Sequence, residues 1–113
     1  MTGTLYLIPN RIADTPLSTA LTKEAIERAK TLSRFLVETA KPARALIGAI
    51  EGHRPFSEIE IVEIGHHPER EKIREWLHPL LAGQDTGLIS DAGCPAVADP
   101  GADIVRACHE LKI

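Results

Sequence analysis

The stretch that most constrains this chain is TGLISDAGCPAVADPGADIVRACHEL, from Thr86 to Leu111. It reads as a buried strand, a sharply turning loop and a helix. Gly87, Leu88 and Ile89 make a short apolar run of the kind a parallel sheet buries on both faces, and the run stops at Ser90-Asp91. A carboxylate therefore stands at the C-terminal end of a strand. Ligands of open α/β sheets bind in the crevice beyond the strand ends, so Asp91-Ala92-Gly93-Cys94-Pro95 occupies the place where a site is expected. Gly93 permits close backbone approach and Pro95 stiffens the turn. Asp99 can cap the next helix with Pro100 at its first position, ahead of Ile104, Ala107, Cys108 and Leu111. The same Asp-Ala-Gly ending also occurs in α/β proteins as a plain capped turn.

The rest of the chain reads as scaffolding for that loop. Thr4 to Ile8 is a strand, ended by Pro9, which cannot continue a central ladder. Thr22 caps a helix over residues 23–32, with Leu21 stapled against Ile26. Arg34 to Val37 is a second buried strand ending at Glu38-Thr39, and Lys41 to Ile50 a second helix with Gly52 past its end. Lys41 and Arg44 lie at the start of that helix, against the dipole preference, which makes them anion-contact candidates as well as an ordinary solvated turn. Glu58 to Ile64 alternates charge with isoleucine, as a strand at a sheet edge does. His66 and His67 follow; adjacent residues point different ways and no carboxylate or cysteine falls at ligand spacing, so no metal is expected. Either histidine can face the strand-end crevice. Pro68 is expected as the first residue of a third helix with Ile73, Trp76, Leu77 and Leu80 on its core face. Pro79 should bend or end that helix early, and Gly83 terminates what remains.

Strand and helix alternate through four strands and about four helices, which argues for an α/β three-layer sandwich around a mostly parallel sheet. A length of 113 residues bounds the chain to one domain. The formal net charge of −3 excludes a basic nucleic-acid-binding field on this piece alone, so any hold on RNA must come from elsewhere. The two cysteines, Cys94 and Cys108, have no metal spacing and no disulfide framework, which fits a reduced, cytoplasmic setting. No stretch is long and apolar enough for a membrane span, and no signal-peptide core opens the chain.

Ser90-Asp91-Ala92-Gly93-Cys94-Pro95 followed by Ala98-Asp99-Pro100-Gly101 resembles the Ser-Asp-Ala-Gly-(Thr/Cys)-Pro and Asp-Pro-Gly signature of the tetrapyrrole methylase family, the class III S-adenosylmethionine-dependent methyltransferases. The nearest likeness is to the branch of the small-subunit ribosomal RNA cytidine-2′-O-methyltransferase. Thr4 to Pro9 resembles that family's first strand, and Phe35 to Arg44 its second strand and following helix, so the resemblance covers nearly the whole chain. It implies a Rossmann-like first domain over residues 1–113, truncated before a further strand, with the second α/β domain absent. It implies S-adenosylmethionine as cofactor, held by Pro9, Ile89, Ser90, Asp91, Ala92, Gly93 and Cys94, and an acceptor that is ribosomal RNA or a tetrapyrrole-like small molecule. The family places glycines in the loop after the first strand, whereas Asn10 to Pro16 has none. No side chain identifies itself as a general base. A poorly covered sheet edge and helix face lead us to expect a homodimer or larger homo-oligomer and no turnover by this piece alone. The rival reading is a truncated α/β module that binds a nucleotide-like ligand or self-associates without catalysis.

Overall fold

The computed structural model describes residues 2–10, 21–91 and 101–111. Four strands and four helices alternate in it: β1 (Leu5–Ile8), α1 (Lys23–Thr31), β2 (Arg34–Val37), α2 (Ala40–Gly48), β3 (Glu60–Glu63), α3 (Arg70–Leu81), β4 (Thr86–Ile89) and α4 (Gly101–Glu110). All strand pairs are parallel and the sheet order is β1-β4-β2-β3. The expected α/β architecture and the edge position of β3 are both observed. Every residue of β2 and β4, the two inner strands, is buried, the pattern that helices on both faces of a parallel sheet impose.

The alternation of side chains along each strand divides the core into two layers. Phe35, Val37, Ile8 and Ile89 pack with Ala29 of α1 and Ala43, Leu46 and Ile47 of α2. Leu36 and Leu88 point the other way, onto Ile73, Leu77 and Leu80 of α3 and Ile104 and Cys108 of α4. Right-handed crossovers account for the sorting. The steps β1 to β2 and β2 to β3 run in one direction across the sheet and put α1 and α2 on one face; the return from β3 to β4 puts α3 on the other. Gly87 lies where this sheet is tightest: a Cβ there would sit 2.6 Å from Cδ1 of Phe35 and 3.0 Å from Cδ1 of Ile8.

Local signals set most helix ends. The Thr22 hydroxyl accepts from the Ala25 N–H at 3.1 Å, and Leu21 is buried in the layer Ile26 packs against, as a hydrophobic staple requires. Gly52, Gly65 and Gly83 turn the chain at φ +84°, +74° and +105°, values that glycine adopts without a side-chain clash. Three expectations need correction. Pro68 is not helical: Glu69 is the N-cap and α3 starts at Arg70. Pro79 does not end the helix early, because α3 continues to Leu81; so near the C-terminus the missing N–H costs one bond, and Ala82 N–H still reaches His78 C=O at 3.1 Å. Residues 56–58 form a 3-10 turn that delays β3 to Glu60. Trp76 is half-buried and packs against the α3–α4 layer.

Candidate functional site

β4 is flanked by β1 and β2, whose following helices pack on one face, while the helix after β4 packs on the other. This is a topological switch point, and the crevice beyond its strand ends is where a doubly wound sheet binds ligands. Ile89 is the last, buried residue of β4, and Ser90 and Asp91 follow it half-buried at that crevice. Pro9 follows β1 at the same edge, half-buried. The sequence-expected residues Ile89, Ser90, Asp91 and Pro9 therefore share one end of adjacent strands. Ala92, Gly93 and Cys94, with the expected cap at Asp99-Pro100, lie outside the described residues.

The structure adds residues that the sequence did not single out. Asn10, buried, donates from Nδ2 to Ser90 C=O at 3.1 Å and ties the end of β1 to that of β4. Glu38, the residue after β2, is held from three sides. Its backbone N–H donates to Ile89 C=O at 3.0 Å and its backbone C=O accepts from Gly65 N–H at 3.1 Å. Its carboxylate Oε1 accepts from the Asp91 N–H at 2.9 Å, and its Oε2 lies 2.6 Å from Nδ1 of His66. Thr39, the N-cap of α2, makes no capping bond of its own; its hydroxyl donates to Asp91 Oδ2 at 2.9 Å. Glu63, at the end of β3, takes over that capping duty by accepting from Ala40 N–H at 2.7 Å.

Asp91 thus has one oxygen satisfied and one not: Oδ1 is buried and finds no hydrogen-bond partner among the described residues. A buried carboxylate oxygen without a donor is costly, and a ligand, a water or an ion that supplied one would relieve that cost. A cationic group, or an N–H or O–H donor, would satisfy it.

The absence of any carboxylate at ligand spacing from the histidines holds along the chain but not in space. Glu38, His66 and Asp91 each offer a ligand atom, all within 4.8 Å of one another. The set is chemically able to bind a cation, although Glu38 and His66 are already joined by a hydrogen bond that a metal would have to break. His67, Lys41 and Arg44 are exposed and form no ion pair among the described residues. The signal that could have found Glu38 is positional: it follows β2 as Ser90-Asp91 follow β4, and both are polar breaks after a fully buried run.

No family model matches the chain. It is 30% identical over 111 residues to a Synechocystis sp. protein named "Ribosomal RNA small subunit methyltransferase I", covering 98% of this chain and 37% of that one. Proteins of the same name from Bacillus subtilis and Haemophilus influenzae are 32% identical over 104 residues and 29% identical over 113, covering 92% and 100% of this chain and 33% and 37% of theirs. The chain spans about a third of the length of these relatives. The resemblance to the small-subunit ribosomal RNA branch of the class III methyltransferases is borne out along nearly all of it.

Proposed function

We propose, for a chain similar over nearly its whole length to ribosomal RNA small subunit methyltransferases, that it forms the first, cofactor-binding domain of an S-adenosylmethionine-dependent methyltransferase acting on ribosomal RNA. The observation that carries the reading is the Oδ1 of Asp91, buried and without a hydrogen-bond partner among the described residues, at the switch point of a parallel sheet. The cofactor is a cation bearing an ammonium, two hydroxyls and an adenine amine, and each of these is a donor that such an oxygen can accept. Asp91 would hold the cofactor with the backbone of Ile89 and Ser90, and Ala92, Gly93 and Cys94 continue the same signature.

When bound, the cofactor supplies a methyl group on a sulfonium. Displacement at that carbon needs little covalent assistance, so the protein's contribution is placement. Asn10 and Glu38 provide it from either side of β4 by pinning Ser90 C=O and the Asp91 N–H. The net charge of −3 leaves the grip on a polyanionic acceptor to other parts of the full-length protein. No helix among the described residues is long and apolar enough to cross a membrane.

Calorimetric titration of the full-length protein with S-adenosylmethionine tests the assignment. A charge-assisted hydrogen bond contributes about 1.5–3 kcal/mol, so Asp91→Ala should weaken binding by about tenfold or more. Equal affinity of wild type and variant would remove Asp91 from the site. Binding without methyl transfer to small-subunit RNA would favour the non-enzymatic binding module.

A further inference from the structure

We infer that His66 is the proton acceptor of the transfer reaction, with Glu38 as its positioning residue; the inference rests on the methyltransferase reading and names the group that reading lacks. Glu38 Oε2 is an acceptor, so the 2.6 Å contact calls for a proton on Nδ1 of His66, and in the neutral ring the lone pair is then on Nε2. The carboxylate cannot swing away, because Oε1 holds the Asp91 N–H at 2.9 Å. Burial differs across the pair: the Glu38 side chain is 15% exposed and that of His66 63% exposed. The anchor is thus inside the edge of the sheet, and the ring emerges from it on the side where Asp91 lies. Nε2 has no hydrogen-bond partner among the described residues.

The electrostatic setting suits a base. Glu38 comes from the end of β2 and Asp91 from the end of β4, both within 4.8 Å of the His66 ligand atom, and His67 and Glu69 stand on the same connecting segment. No lysine or arginine pairs with Glu38 or Asp91 among the described residues. An imidazolium formed at His66 would face two carboxylates, neither of them paired with a lysine or arginine among the described residues. Transfer to a hydroxyl releases a proton that a positioned base can take as the bond forms. As the acceptor atom bonds to the methyl carbon, the carbon–sulfur pair departs with sulfur, which becomes a neutral thioether. The acceptor's proton passes to Nε2 of His66 and afterwards to water. Glu38 holds the tautomer and stabilises the cation, the arrangement in which a carboxylate orients a histidine base.

Nitrogen-15 NMR of the imidazole rings in the full-length protein tests the geometry without turnover. The expected result is a His66 ring protonated on Nδ1 and bare on Nε2, reverting in Glu38→Ala to the Nε2–H form that free imidazole side chains prefer. A His66 ring carrying its proton on Nε2 in the wild type would overturn the inference. Single-turnover transfer from labelled S-adenosylmethionine to a small-subunit ribosomal RNA transcript tests the role. His66→Ala should slow transfer by about a hundredfold or more, the usual worth of a positioned base, with cofactor affinity within about twofold of wild type. A variant that keeps the wild-type rate sinks this inference alone, whereas a wild type that binds cofactor but transfers nothing sinks the proposed function with it. Manganese or zinc titration is the third arm: a divalent ion that shifts the His66 resonances and is required for transfer would make the cluster a metal site and replace the base.

Discussion

The two inner strands, β2 and β4, begin and end in polar groups, and the two ends are built differently. At the N-terminal end, the Arg34 guanidinium is 3% exposed and almost fully engaged: Nη1 donates to the Thr86 hydroxyl at 3.3 Å, Nη2 to Trp76 C=O at 2.7 Å, and Nε lies 3.2 Å from Glu60 Oε1. The Nε contact is close enough for an ion pair but is not aligned as a hydrogen bond, so Nε counts as unsatisfied by that stricter standard. Burial lowers the Arg34 pKa, and Glu60 beside it acts in the opposite sense. At the C-terminal end, Glu38, Thr39 and Asp91 also interlock, but one carboxylate oxygen is orphaned and one imidazole stands exposed. A polar network that is nearly closed joins elements together, while the open one holds the acceptor and the ring that the proposed site would use.

The sharpest way to break the contrast is Arg34→Ala. Removing one partner of a buried charged network typically costs about 3–5 kcal/mol; because Glu60 is 61% exposed and stays hydrated, we expect the low end, about 3 kcal/mol, in urea unfolding. Loss of less than about 1 kcal/mol would show that the N-terminal end is not a structural clasp. Gly87→Ala, between the two ends, should cost about 2 kcal/mol, since the added methyl meets a Phe35 ring that is 0% exposed and cannot retreat. A neutral result would mean that β2 and β4 separate more easily than their packing indicates.

The third test uses pH. Burial raises the Cys108 thiol to about 11. The folded chain then holds that proton more tightly than the unfolded chain does, so the stabilisation is whole below the thiol's ordinary value of 9.0 and is lost as pH rises from there through 11. Cys108→Ala should flatten the alkaline decline of stability in that window; an unchanged decline would place its cause elsewhere. The smallest effect belongs to the C-terminal end. Asp91→Asn relieves repulsion with Glu38 and should change unfolding stability by no more than about 0.5 kcal/mol, in either direction, while weakening cofactor binding. A large loss of stability would make Asp91 a second clasp and erase the contrast.

Much of this was legible along the chain. The buried runs of β2 and β4, the Thr22 cap, the edge character of β3 and the polar stop at Ser90-Asp91 are local patterns, set by propensity and by side-chain periods of two and 3.6 residues. Pro79 misled because proline's penalty depends on how much helix follows it, and only two residues do.

The amino-acid sequence by itself determined the alternation of strand and helix, the parallel sheet it implies and the resemblance carried by the signature from Ser90 to Gly101. The tertiary structure alone decided which polar residues meet. Glu38 reaches His66 across 28 residues and the Asp91 N–H across 53, and Arg34 reaches Thr86 across 52. Those meetings follow from the order β1-β4-β2-β3, which inserts β4 between two strands that precede it in the chain. Periodicity within one element says which face is buried; it carries no information about which other strand will lie beside it. Glu38 therefore reads along the chain as an ordinary polar stop, and meets the Asp91 N–H and Ile89 C=O only when β4 returns next to β2.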